Sequence, residues 1–438
     1  MAETVADSED ARSLIDRSRI SPMQMAVFGI CFLMNGIDGM DVLVISYAAP
    51  VLAEEWSIAP GALGVVFSAA LLGMACGAMF IAPFADRIGR RAMIIISILL
   101  TGFAVLATSV IQTIEALMVL RFVSGLGIGA MLASVATMAA EFAPDRQRNL
   151  ILVSILAGYP IGATIFGVIA ADVIPALGWR ALFVTAGITT LATFPLVWFL
   201  LPESLTFLIR MQPANALEKV NRIIGRMGHT HLNELPPAPI EVASTSVKGL
   251  FSAELSRPTI FLWLAFFMNF AALYFLASWI PKLSLAAGLP LDLAIYAGAI
   301  FNLGAVPGIA LSGYLSQKFG LRRVISVFLL LTAIVMVLFG FAQGSATILP
   351  LFGLIGFLIE GGFVGLYVVA ARLYPTELRT TGVGWAIGAG RTGAIAGPFV
   401  GGILVAYGLS IGANFRWFAI TLILAGIFTL LIKSDRVS

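Results

Sequence analysis

Ala85-Asp86-Arg87-Ile88-Gly89-Arg90-Arg91 interrupts an apolar run, and Ser316-Gln317-Lys318-Phe319-Gly320-Leu321-Arg322 repeats its form 231 residues later. The same offset carries Ala139-Ala140-Glu141-Phe142-Ala143-Pro144 onto Ala370-Ala371-Arg372-Leu373-Tyr374-Pro375. It also carries Pro50 onto Pro281, Arg148 onto Arg379 and Gly162 onto Gly393. One offset that holds this far marks two copies of one unit. Working outward, apolar runs of membrane-crossing length fall at about 23–50, 61–84, 92–112, 114–141, 148–173 and 179–201, then at about 258–281, 292–315, 323–342, 347–371, 379–407 and 411–432. The expected fold is an all-α membrane protein, with twelve transmembrane helices in two pseudo-symmetric six-helix bundles. The expected divisions are a tail 1–22, a bundle 23–201, a linker 202–257, a bundle 258–432 and a tail 433–438. Six is even, so the copies share one orientation in the membrane, and parallel repeats are a transporter architecture.

Composition agrees. The 438 residues are 60% hydrophobic and 11% charged, with a mean hydropathy of +1.00. Only a polytopic membrane protein hides so much apolar surface. The net charge of +3 comes from scattered basic residues, which offer no nucleic-acid surface. Of the 26 Lys and Arg, 21 fall in the tails and even-numbered connections, which places both termini in the cytoplasm. Met1 to Arg19 has no signal-peptide pattern, so the first helix directs insertion. Ser21-Pro22-Met23-Gln24 has the form of a capping box. In the linker, Ala216–Met227 reads as an amphipathic helix, on the membrane surface or under the bundle, and Leu235–Ser246 as flexible. Cys31 and Cys76 lie in apolar runs and are expected to pack rather than pair. His229 and His231 have no accompanying ligand, so neither a metal nor a cofactor is expected. No Ser/His or Cys/His constellation suggests an enzyme, and no segment outside the bundles suggests a receptor.

Ionisable residues at membrane depth are functional by default. Asp38 and Asp41, in Asn35-Gly36-Ile37-Asp38-Gly39-Met40-Asp41, lie three apart on one helical face, with Cβ atoms about 5–6 Å apart. A buried pair that changes protonation cheaply can carry protons. Arg121 lies at a compatible depth and is the natural partner, or else a structural arginine bonded to backbone carbonyls. Glu141 is about 30 Å from Arg121 along the same helix and does not pair with it. It reads as an inner-gate ion pair with Arg146, Arg148 or the Asp86–Arg91 turn. Arg391, near mid-depth, has the fork geometry that suits a substrate carboxylate, and its alternative is to partner Glu360. Glu360 reads as a second proton site, an arginine partner or a substrate contact. Asn35, Tyr47, Asn269, Tyr274, Asn302 and Trp385 are candidate cavity-lining groups, with Tyr159, Tyr296 and Tyr367 beside them. Gly125, Gly127 and Gly129 lie inside an apolar helix with no strand before them, so they are not a nucleotide loop.

Pro83 to Arg91 resembles the signature between helices two and three of the major facilitator superfamily, and Arg121-Phe122-Val123-Ser124-Gly125-Leu126-Gly127-Ile128-Gly129 resembles its fourth-helix signature. Pro202-Glu203-Ser204 resembles the motif that ends its sixth helix. Asp38-Gly39-Met40-Asp41 is similar to the helix-one pattern of the aromatic acid:proton symporters of that superfamily, as are Tyr374 to Trp385 and Gly390 to Pro398. The resemblance implies alternating access and proton-coupled import of a small aromatic carboxylate of benzoate or hydroxybenzoate type. Another substrate, such as a sugar, an aliphatic acid or an exported drug, is the alternative. It implies an inner (plasma) membrane protein working as a monomer, with protons, the aromatic acid and the bilayer as its partners. It gives Asp38 and Asp41 the proton role, with Arg121 and Glu360 beside them. Asp86, Arg87, Gly89, Arg90, Arg91, Glu141, Arg148, Glu377 and Arg379 form the expected gate. Gln317 stands where the family often has an acid, which implies a less symmetric inner gate. Asn269 to Ala277 contains no acid, so proton coupling is expected in the first half.

Overall fold

The computed structural model describes residues 20–229, 231–235, 247–342 and 344–432, excepting the side chains of residues 149, 376, 377 and 380. Residues 1–19, 236–246 and 433–438, and with them most of both tails and of the expected flexible linker, lie outside the described residues, as does the Glu377 side chain. The first-half helices are α1 (Pro22–Glu55), α2 (Pro60–Cys76), α3 (Arg90–Ala107) and α4 (Ile114–Phe142). A π-helical stretch, Gly77–Ile81, extends α2. Next come α5 (Arg148–Leu156, resuming at 158–177) and α6 (179–200). The second half contains α7 (Ser256–Ala286), α8 (Leu291–Phe319), α9 (Leu321–Phe339), α10 (Ser345–Leu373), α11 (Thr376–Ala406) and α12 (Ile411–Leu431).

Eleven stretches among the described residues are long and apolar enough to cross a membrane, and one of them, Leu150–Leu200, has 51 residues. That is about 76 Å of helix, more than twice a ~30 Å hydrocarbon core. It breaks at Gly178 (φ 81°, ψ 169°), so it supplies two crossings and the total is twelve. The capping box is present: Gln24 N donates to Ser21 Oγ (3.3 Å) and Ser21 N to Gln24 Oε1 (2.8 Å). Pro50 does not end α1, which runs on to Glu55, and its repeat counterpart Pro281 likewise lies inside α7. Each proline sits near the end of a buried helix, where neighbouring helices sustain the interrupted ladder.

The 231-residue offset holds in three dimensions. Gly162 of α5 has no room for a β-carbon against the Gly36 carbonyl, and Gly393 of α11 has none against Phe267. Gly73 meets Phe122 between α2 and α4 as Gly304 meets Gly353 between α8 and α10. Gly89 and Gly320, the turn glycines, have φ of 99° and 87°, a left-handed region that glycine enters freely. Arg91 donates to the Trp198 carbonyl and Arg322 to the Ile432 carbonyl, each pinning the last helix of its half. The match fails at Glu360, which stands where the first half has Gly129 tight against Met74. The second half makes its close approach one residue later, at Gly361 against Gly308.

Among the described residues, every hydrogen bond between the halves lies away from the basic Arg87–Arg91 turn. Ser46 Oγ donates to the Ala277 and Ser278 carbonyls (2.8 Å each). Ser68 Oγ donates to Ile395 (2.8 Å) and Thr164 Oγ1 to Ala299 (3.2 Å). Gly64 of α2 and Gly402 of α11 lie against each other's backbone in the same seam. Among the described residues, the halves are thus joined by such bonds on one face. In the linker, Ala216–Arg226 buries Val220, Ile223 and Ile224 in the protein core instead of resting them on a membrane surface.

Candidate substrate and proton site

Asp38 and Asp41 sit in the middle of α1, each 1% exposed. They do not act as one shared face. Asp41 is held inside the first half, where Thr190 of α6 donates to both carboxylate oxygens (3.2 and 3.0 Å). Arg121 of α4, fully buried, donates from Nη1 to the Asp41 main-chain carbonyl (3.3 Å) and interacts electrostatically with its carboxylate. Its guanidinium lies 5.2 Å from the Phe183 ring centroid. Arg121 thus bonds a main-chain carbonyl, as its structural reading expects, while its Nε and Nη2 are buried without a hydrogen-bond partner. Asp38 faces the other half, where Arg391 of α11 is its foremost charged neighbour, and Asp38 Oδ1 has no hydrogen-bond partner. The physical reason is rotation: residues three apart on a helix diverge by about 60°, enough to meet different neighbours in a tightly packed bundle.

Arg391 lies among aromatic groups, and its Nη1 is buried without a partner. The Phe270 ring centroid is 6.0 Å away. Phe270 stacks on Tyr274 (5.9 Å, 10°) and meets Phe363 edge-on (4.8 Å). Tyr367 meets Phe266 and Phe363 edge-on, both at 5.3 Å. Tyr274, Tyr367, Asp38 and Tyr159 are the electrostatic neighbours of Arg391. Glu360 is absent from that set and neighbours Tyr159, Tyr274 and Tyr367 instead, so the alternative of an Arg391–Glu360 pair gives way to a shared tyrosine setting. Asn269 is fully buried with both amide atoms unpartnered. Trp385 stacks on Trp263 (5.8 Å, 16°), about 9 Å along α11 from Arg391. Asn35 and Asn302 each donate to a carbonyl of their own helix, Cys31 and Gly298. Tyr47 departs from its expected place in the cavity. It donates to the Ala163 carbonyl (2.8 Å) and wedges between Gly167 and Gly298, sealing the closed side.

Of the expected gate residues, Glu141 pairs with the Asp86–Arg91 turn, whereas Arg148 does not reach it. Arg90 pairs with Asp86 (3.1 Å) and Glu141 (3.2 Å) and donates to Ser204 Oγ (2.8 Å), which donates to Glu141 (2.5 Å). Glu203 accepts from the backbone N–H of Arg91 (3.0 Å) and of Ser204 (2.8 Å), and Gly89 leaves space for its carboxylate. All of these residues belong to the first half. The cluster ties the α2–α3 turn, the end of α4 and the end of α6 together. The ion pair between Glu141 and the Asp86–Arg91 turn thus forms a brace within the first half. Arg148 pairs locally with exposed Asp145 (3.6 Å), not with Glu141, and Arg87 and Arg379 are exposed.

The sequence reading missed Thr190, Phe183, Phe266, Phe270 and Phe363. A signal existed for the last three: Phe266, Phe270 and Tyr274 recur every four residues on α7, and Phe363 precedes Tyr367 by four on α10.

A family model described as the Major Facilitator Superfamily matches residues 31–310 and 262–437. The 4-hydroxybenzoate transporter PcaK of Acinetobacter baylyi is 35% identical over 92% of this chain and 89% of its own length. A gallate transporter of Pseudomonas putida is 32% identical over 92% and 90%, and the benzoate transport protein of A. baylyi 30% identical over 98% and 93%. A bacterial homologue of the human lysosomal transporter Spinster, solved inward-facing and unoccupied, superposes with a TM-score of 0.69 at 16% identity, covering 94% of this chain and 95% of that one.

Proposed function

The chain belongs to the major facilitator superfamily, and on that premise we propose that it imports a small aromatic carboxylate together with protons. It is a membrane transporter, not an enzyme. One observation carries the substrate reading: Arg391 presents an unpartnered guanidinium nitrogen within a wall of Phe270, Tyr274, Phe363 and Tyr367, facing Asp38 across the halves. The guanidinium takes the carboxylate and the rings take the arene face and edge. The names of the relatives, transporters of 4-hydroxybenzoate, gallate and benzoate, support the same class. Asn269, Trp385 and Glu360 are further candidate contacts.

Proton coupling has an electrical rationale. A carboxylate entering a negative-inside cell costs about 2.3 kcal/mol per 100 mV, which one proton cancels. Asp38 and Asp41 are the proposed proton carriers, with Arg121 and Thr190 holding Asp41. The excess of Lys and Arg in the even-numbered connections supports our reading of that face, and both termini, as cytoplasmic in an inner-membrane protein that acts as a monomer. The closed seam at Ser46, Ser68 and Thr164 then lies outside, and the molecule faces inward.

The test is binding by Arg391→Ala. A charge-assisted hydrogen bond contributes about 1.5–3 kcal/mol, so 4-hydroxybenzoate binds roughly 10- to 150-fold more weakly. The uncharged amide analogue keeps its affinity. Equal losses for the two compounds would contradict the assignment.

A further inference from the structure

A cavity of about 540 Å3 opens between α5, α8 and α10 on the basic side. That volume lies within the ~300–1,000 Å3 of small-molecule sites. Its lining along α10 begins at Gly361, next to Glu360, and ends at Arg372, about 16 Å further along the helix. Ser312, Ser316 and Gln317 of α8 form its polar wall. Among the described residues, Arg372 is the one charged residue in the lining, and Ser316 Oγ is buried without a hydrogen-bond partner.

The repeat shows why a lone cation stands here. The 231-residue offset sets Arg372 against Glu141, Leu321 against Arg90 and Gln317 against Asp86. In the first half, Arg90 bridges the two acids and the charges are satisfied. In the second half the bridging cation has become leucine, one acid glutamine and the other arginine. The brace is dismantled, a cavity stands in its place, and the remaining charge is positive.

We propose that this cavity is a second, release-side site for the aromatic acid, with Arg372 holding the carboxylate and Ser316 and Gln317 donating to it. The inference rests on the transport reading above. An acid leaving Arg391 would travel down the α8–α10 wall past Ser312 and Ser316 towards Arg372. Arg372 is solvent-exposed, so binding is weak and release follows.

The experiment uses the full-length protein with Cys31→Ala, Cys76→Ser and Ser312→Cys, in phosphatidylcholine vesicles. Anionic and cationic methanethiosulfonates of similar size label the introduced thiol. Arg372→Gln should lower the anionic-to-cationic rate ratio about threefold, the scale of one exposed charge. Millimolar 4-hydroxybenzoate should slow labelling by a neutral methanethiosulfonate, should do so equally in Arg391→Ala, and should not in Arg372→Gln. Protection lost in Arg391→Ala, or kept in Arg372→Gln, would overturn the proposal. Lipid phosphate shares the chemistry, so a second arm adds phosphatidylglycerol. If that lipid itself blocks labelling and removes the effect of the acid, the site belongs to a headgroup and the proposal falls. Failure of the transport reading is seen separately, as absent 4-hydroxybenzoate uptake by the parent protein, while the rate ratio still reports on Arg372.

Discussion

Asp41 and Asp38 differ by three positions and by neighbourhood. Thr190 and Arg121 enclose Asp41 within the first half, whereas Asp38 looks across to Arg391. The two should therefore fail differently. Asp41→Asn is expected to abolish accumulation driven by a proton gradient while sparing substrate exchange, and Thr190→Val to weaken accumulation in the same sense. Asp38→Asn should also change the affinity for 4-hydroxybenzoate, because it alters the charge facing Arg391. Accumulation and counterflow measured in parallel separate these outcomes. Identical phenotypes for the two aspartates would contradict the division. The acids themselves were legible in the sequence, since a carboxylate in an apolar run draws notice at once. Their separate partners were not, because a rotation of about 60° has meaning only once the neighbouring helices are in place.

At the scale of helices, the seam between the halves is built from hydroxyls of the first half and main-chain carbonyls of the second. Ser46, Ser68 and Thr164 supply the hydroxyls. Hydrogen bonds between membrane helices contribute about 0.6 kcal/mol each, so removing three shifts the inward–outward balance by ~2 kcal/mol, roughly twentyfold. Combined Ser46→Ala, Ser68→Ala and Thr164→Val should broaden spin-label distances across the seam toward longer values, and an unchanged distribution would remove the seam from the switching account. Helix positions and the repeat could be read from the sequence, and contacts such as Gly162 on Gly36 and Gly393 on Phe267 show that the offset is spatial. Tyr47 was misplaced because a tyrosine at membrane depth suits a cavity or a packed seam equally well. Only the glycines at 167 and 298 decide between them.

The whole molecule is an asymmetric pair of similar halves. The first carries both α1 acids and the Asp86–Arg90–Glu141 brace, and the second carries Arg391, Glu360 and the aromatic wall. Twelve crossings and the basic face follow from run lengths and charge, which are additive along a chain. The facing of Asp38 toward Arg391 does not, because it depends on how two bundles dock. The central claim is that protons drive an aromatic acid through this docked pair. The most direct measurement is accumulation of labelled 4-hydroxybenzoate by proteoliposomes under an imposed pH gradient, acid outside. The account predicts uptake above the equilibrium level of protein-free vesicles, collapse on adding a protonophore, and loss in Asp41→Asn. Uptake that is indifferent to the protonophore and to Asp41→Asn would contradict it.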